Sequence, residues 1–272
     1  MAESRNTGVA MWARELGEGD ADPLLMLHAF PLNGRMFEPQ MGALSGSRRV
    51  IAPDLPGFGH SPRTPAQPDV GYYAGCVEAM LDRLEVPRVV LGGVSMGGYV
   101  AFECVRAFPE RISGLVLANT RPDADTEEAR ETRKEMALRV AQEGIGVLVD
   151  LQMGRLLSDR TRTHNRDLVE KVKEIILQNT PDGAVAALGA MRERPDSTET
   201  LAQINVPTLV VGGGEDAISS PEVMGEMAAR IPGARHVTLP GVGHLSNLED
   251  PDGFNEALME FLESARTQAT AG

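Results

Sequence analysis

The run Gly93-Val94-Ser95-Met96-Gly97 has the form G-x-S-x-G. It follows the apolar run Val89–Leu91 and opens a helical stretch, Met96–Phe108. A strand that turns this sharply into a helix forces the central serine backbone into a strained conformation. Side chains at positions 93 and 97 would collide with the neighbouring strand and helix, so glycine is required there. The serine hydroxyl is then held up at the sheet edge, where it can attack a carbonyl. The plainer reading is a glycine-rich turn before a helix, and the strand–turn–helix setting favours the nucleophile.

A serine hydroxyl is a poor nucleophile without a base. The chain has five histidines, His28, His60, His164, His236 and His244. His244 sits in Pro240-Gly241-Val242-Gly243-His244, directly after the last predicted strand, where a loop residue can reach a shared site. His236 begins that strand and reads as packed or surface. His164 reads as a helix start within a separate helical region. The base needs an orienting carboxylate. Leu209–Val211 is followed by Gly212-Gly213-Gly214-Glu215-Asp216. Asp216 is the first choice and Glu215 the runner-up.

Developing negative charge needs backbone donors. Met96, next after the serine, offers its N–H at a helix N-terminus, where the dipole helps. The second donor should come from the loop after an earlier strand. His28-Ala29-Phe30-Pro31 follows Leu24–Leu27. Proline has no N–H, so Phe30 is the natural donor. His28 is expected to buttress this loop by hydrogen bonds rather than to act as a base.

These residues need a scaffold that brings them to one edge. Short apolar runs recur at Leu24–Leu27, Val50–Ala52, Val89–Leu91 leading to Val94, Leu115–Ala118, Leu209–Val211 and Val237–Leu239. They read as strands buried on both faces. Helical patterns alternate with them at Val70–Leu84, Met96–Phe108 and Pro221–Arg230, the last with a proline at its start after Ser219 and Ser220. Alternation of this kind gives a mostly parallel sheet with right-handed crossovers. Arg5–Asp22 reads as a leading hairpin turning at Gly17-Glu18-Gly19. Between Thr120 and Asn205 the rhythm breaks. Helices are predicted from about Asp125 to Glu143, from about Asn165 to Gln178, and after Thr180-Pro181. They form an insertion at the carboxyl ends of the strands, where ligands bind in such sheets. The expected division is a core of residues 1–119 and 206–272 with a helical cap of residues 120–205. Thr267–Gly272 is expected to be disordered.

Composition sets the outer bounds. The chain has 272 residues, 42 % hydrophobic and 24 % charged, as in an ordinary globular domain. Its net charge of −13 argues against a nucleic-acid partner and against an anionic membrane. The two cysteines, Cys76 and Cys104, make neither a disulfide framework nor a zinc cluster and read as small core residues. No signal peptide or membrane span is read, so the expected compartment is the cytoplasm and the default assembly a monomer or weak homodimer.

The order Ser95, Asp216, His244, with His28-Ala29-Phe30-Pro31, Asp54-Leu55-Pro56-Gly57-Phe58-Gly59-His60-Ser61, Gly93–Gly98 and Gly243-His244, resembles the α/β-hydrolase superfamily. Within it the chain is similar to small bacterial carboxylesterases and to 3-oxoadipate enol-lactonases. Ala118-Asn119-Thr120-Arg121 and Arg194-Pro195-Asp196-Ser197-Thr198 resemble the esterase side. The resemblance implies an eight-stranded, mostly parallel sheet with its second strand antiparallel, flanked by helices, and a cap inserted between strands 6 and 7. Ala29 departs from the usual glycine and puts a Cβ in the loop that presents Phe30. Serine at position 95 excludes relatives that use an aspartate nucleophile.

The chemistry expected is hydrolysis of short-chain acyl esters through an acyl-enzyme on Ser95, with water as second substrate and no metal or organic cofactor. The base must be neutral to accept a proton, so activity is expected to fade below about pH 6–7. Met136, Leu138, Val147, Leu148, Leu151, Met153, Leu156 and Met191 are the apolar cap residues available for an acyl pocket or for helix packing. An enol-lactonase would use the same triad but bind a dicarboxylate, for which Arg133, Arg139, Arg155, Arg160 and Arg162 are available. A cofactor-free perhydrolase would also use this triad, and a C–C hydrolase is a weaker option. A non-catalytic ligand-binding protein of the same fold is the alternative from another class.

Overall fold

The structure, a computed structural model, describes residues 10–65 and 67–271, with side chains described through residue 265. In chain order the elements are β1 (Ala13–Leu16), β2 (Leu24–Leu27), α1 (Glu38–Leu44), β3 (Val50–Pro53), α2 (Val70–Arg83), β4 (Val89–Val94), α3 (Met96–Ala107) and β5 (Ile112–Ala118). Then come α4 (Glu127–Glu143), α5 (Val147–Leu156), α6 (Asp159–His164), α7 (Arg166–Leu177), α8 (Pro181–Arg192) and α9 (Thr198–Leu201). The chain closes with β6 (Thr208–Gly213), α10 (Pro221–Arg230), β7 (Arg235–Leu239), α11 (Ser246–Glu249) and α12 (Pro251–Ala271).

The strands form one seven-stranded sheet in the order β1-β3-β2-β4-β5-β6-β7. All neighbours are parallel except β1, which runs antiparallel to β3. Strands β2, β3, β4 and β6 are buried along their whole length, as the continuous apolar runs require. The crossovers α2, α3, α10 and α12 carry large buried side chains, among them Tyr73, Phe102, Met227 and Phe254.

The described residues hold seven strands, of which the first is antiparallel, with the helical insertion between β5 and β6; each falls one place earlier than in the expected eight-strand numbering, and residues 1–9 lie outside the described residues. Three expectations need correction. Arg5–Asp22 is not a hairpin in its described part: β1 pairs with β3, because β3 takes the place beside β2. Gly17 keeps its turn role at a φ of +85°, where a side chain would meet the Arg48 carbonyl. His164 ends α6 instead of starting a helix. Finally, α12 continues through Ala271, since Glu263-Ser264-Ala265-Arg266 holds no helix breaker.

Helices α4, α7 and α8 match the predicted ones, capped by Thr126, Asn165 and Thr180. Helices α5, α6 and α9 were not foreseen. Asn179, between α7 and α8, fastens the insertion to the core. It donates to the Pro31 carbonyl at 2.7 Å and the Ile175 carbonyl at 3.0 Å, and accepts from the Gly59 N–H at 2.8 Å.

Candidate active site

Strand β4 delivers the chain to Ser95, whose φ of 53° and ψ of −112° are strained for a residue with a Cβ. The reason lies on either side. A Cβ at Gly93 would run into the Gly97–Gly98 backbone of α3, and one at Gly97 into the Leu27 backbone of β2. Ser95 is pinned by its N–H to the Ala118 carbonyl at 2.9 Å and by the Thr120 hydroxyl to its own carbonyl at 2.9 Å. It is the turn that the G-x-S-x-G spacing predicts.

His244 lies on the loop after β7, with its Nδ1 2.8 Å from Asp216 Oδ2 and 3.0 Å from Oδ1. A carboxylate only accepts, so Nδ1 carries the proton and Nε2 is left as an acceptor. Asp216 follows β6. Its Oδ1 accepts from the Ile218 N–H at 2.8 Å and the Ser219 N–H at 3.0 Å, and its Oδ2 from Asn119 Nδ2 at 2.9 Å. Burial alone pushes the carboxyl up. The electrostatic attraction of the neighbouring His244 ring, with hydrogen bonds from His244, Asn119 and Ser219, outweighs it and holds Asp216 below the ordinary carboxylate range. Glu215, the runner-up, points to solvent.

Ser95, His244, Phe30 and Tyr99 line one cavity of 320 Å³. Its far wall comes from the insertion, through Thr126, Glu128, Thr132, Arg133 and Met136 of the α4 region, Gln152, Arg155 and Leu156 of α5, and Met191 of α8. Of the apolar residues of the insertion, Met136, Leu156 and Met191 reach the cavity. Val147 and Leu148 pack in the core, and Leu138 is 54 % exposed. Of the five arginines named in the insertion, Arg133 and Arg155 line it. Arg139 and Arg162 pair on the surface with Glu143 and Asp159.

Met96 is the first residue of α3, where the N–H groups have no intrahelical acceptor. The Phe30 loop is braced by His28. The Leu55 N–H donates to His28 Nε2 at 3.0 Å, so the proton is on Nδ1, which donates to the Ala29 carbonyl at 3.0 Å. Burial pushes His28 down to about 4, so it is neutral. Ala29 is fully buried and is absent from the residues with positive φ, so its Cβ imposes no left-handed strain. Asp54 is also fully buried. It accepts from the Gly34 N–H at 2.8 Å and the His60 N–H at 2.9 Å and pairs with Arg14 at 3.4 Å, tying β1 to the same loop.

Sequence reasoning missed Asn119 as a partner of Asp216. It has a φ of 45°, is fully buried, and is held by the Ser246 hydroxyl at 2.5 Å. The available signal was its place, one residue past the carboxyl end of β5, at the edge that presents Ser95 and Asp216. Tyr99 was missed as well. It lies one turn into α3 from Ser95, and Arg194 stacks 4.1 Å over its ring.

Comparison with known proteins agrees with this layout. The alpha/beta hydrolase fold family model matches residues 22–251. Over 254 residues the chain is 32 % identical to the dihydrolipoyllysine-residue acetyltransferase component of the acetoin cleaving system of Pseudomonas putida, covering 91 % of this chain but only 65 % of that protein. It is 26 % identical to 3-oxoadipate enol-lactonase 2 of Acinetobacter baylyi, over 92 % of each chain. A thermophilic esterase from Thermogutta terrifontis superposes with a TM-score of 0.91 at 38 % identity over 94 % of each chain. Strand order, serine turn and family match lead to one conclusion: the chain belongs to the α/β-hydrolase fold family.

Proposed function

We propose that the protein is a serine carboxylesterase acting on short-chain acyl esters. The observation that carries the reading is the buried Asp216–His244 pair, at 2.8 Å, beside the cavity that Ser95 also lines. Ser95 attacks the ester carbonyl and His244 Nε2 takes its proton. The tetrahedral oxyanion is held by the N–H groups of Phe30 and Met96. His244 returns the proton to the leaving alcohol, leaving an acyl group on Ser95. A water then attacks the acyl carbon, giving its proton to His244. Collapse releases the acid and restores the serine. Asp216 fixes the ring and balances its transient charge. Residues 120–205 act as the cap and set the shape of the acyl site, while residues 1–119 and 206–272 carry the chemistry.

Turnover of p-nitrophenyl esters from acetate to dodecanoate, on wild type and Ser95→Ala, tests the proposal. Rates should peak at short chains, and the variant should lose about 10⁴- to 10⁶-fold in kcat. No turnover on any ester would overturn it. One observation favours a lactonase as the second reading: Arg155 lines the cavity without an ion-pair partner among the described residues, and a substrate carboxylate would supply one. Preference for carboxylate-bearing lactones over neutral esters, lost in Arg155→Gln, would decide for it.

A further inference from the structure

A second cavity, of 420 Å³, is lined by other residues of α4 and α8 and by the segment before α2. Pro68, Ala137, Val185 and Leu188 give it an apolar wall. Arg133 lines both cavities. Its guanidinium is held in place by Asp125, through Nε to Oδ2 at 2.5 Å and Nη2 to Oδ1 at 3.4 Å, and its Nη1 meets the Met191 sulfur at 3.5 Å. Asp125 is itself anchored, since Arg194 Nη1 reaches its Oδ1 at 2.5 Å. Arg194 is 4 % exposed, is fixed to the carbonyls of Met191 and Asp123, and stacks on Tyr99 of the catalytic cavity. The Arg133 guanidinium is therefore held in a fixed network of ionic and hydrogen-bonded groups.

We propose that Arg133 is the partition between the two cavities and the residue that limits acyl-chain length, with the second cavity as the space a longer linear acyl chain would fill. The inference rests on the esterase reading and deepens it. An alkyl chain entering from the Ser95 side meets a charged group whose hydrogen bonds it cannot replace. Beyond that group lies a surface that suits methylenes. Asp125 keeps Arg194 as a partner when Arg133 is truncated, so truncation leaves no buried charge alone.

The test is the ratio of kcat/KM for p-nitrophenyl octanoate to that for butyrate. Arg133→Ala should raise the ratio about tenfold or more, as a few newly buried methylenes allow. Arg133→Lys, which keeps the charge and most of the reach, should leave it close to the wild-type value. Arg133→Ala with Ala137→Trp, which refills the second cavity, should return it to the wild-type value. Should the alanine variant not fold, Arg133→Gln keeps an amide donor for Asp125 and should give a shift in the same direction. A ratio unchanged in the truncated variants, or loss of activity in parallel on all chain lengths, overturns the partition while leaving the esterase reading intact. A wild type that turns over none of the esters overturns both.

Discussion

Asp216, at the carboxyl edge of the sheet, takes hydrogen bonds from Ile218, Ser219, Asn119 and His244 within a buried setting. Across the cavity, α4 buries only Val140 among its residues and pairs Glu131 with Lys134 and Arg139 with Glu143 on its outer face. The floor is specified by backbone constraints and by polar groups with little room to move. The roof is a helix whose surface pairs contribute little and can be exchanged cheaply. On the proposed reading, chemistry belongs to the first region and substrate range to the second.

The contrast is sharpest at the floor. Asp216→Asn keeps the shape but lets the imidazole adopt the wrong tautomer, and kcat should fall about 10⁴-fold. A loss below about tenfold, measured on a short ester, would detach Asp216 from the mechanism.

His28 tests whether the floor is also a stability element. Folded His28 takes a proton only at about 4, against 6.5 for the free side chain. The unfolded chain therefore binds more protons between those values. Stability from this residue is full above about 6.5 and declines as pH falls toward 4, by roughly 3 kcal/mol. Urea unfolding at pH 7 and pH 4.5 measures the decline, and His28→Gln should flatten its slope.

Asn119→Ala removes one hydrogen bond to a charged acceptor and should lower kcat about 10- to 100-fold with KM unchanged. An equal rise in KM would show that Asn119 shapes the pocket instead of holding Asp216. At the roof, Leu138→Gln on the outer face of α4 should change stability by no more than about 0.5 kcal/mol, with kcat unchanged. Thermal unfolding measures it, and a cost above about 2 kcal/mol would erase the contrast between the two regions.

The same contrast explains what the sequence reveals. Gly93, Ser95 and Gly97 are legible because the turn leaves no room for alternatives, and Leu24–Leu27 and Val89–Leu91 because strands buried on both faces need unbroken apolar runs. Asp216 and His244 follow from their places after β6 and β7. The place of β1 is not legible, because its choice between β2 and β3 depends on which strand fills the adjacent position. Asn119 is hidden because its partner lies 97 residues on. The pairing of Asp125 with both Arg133 and Arg194 is hidden too. Those arginines are 8 and 69 residues away, and only the first stands at a helical spacing that sequence can suggest. Helix α5 buries Val147, Leu148, Gln152 and Leu156, and the polar Gln152 in the middle of that face interrupts its apolar stripe.

Asn179 carries a consequence for traffic. Its amide grips the carbonyl of Pro31, next to Phe30, while its oxygen grips the Gly59 N–H. Swinging the α7–α8 junction outward would strand these buried groups and drag the Phe30 loop with it. That end of the insertion is a fixed doorpost. On the proposed esterase reading, substrate is expected to pass where α4 and α5 line the cavity, away from this anchor.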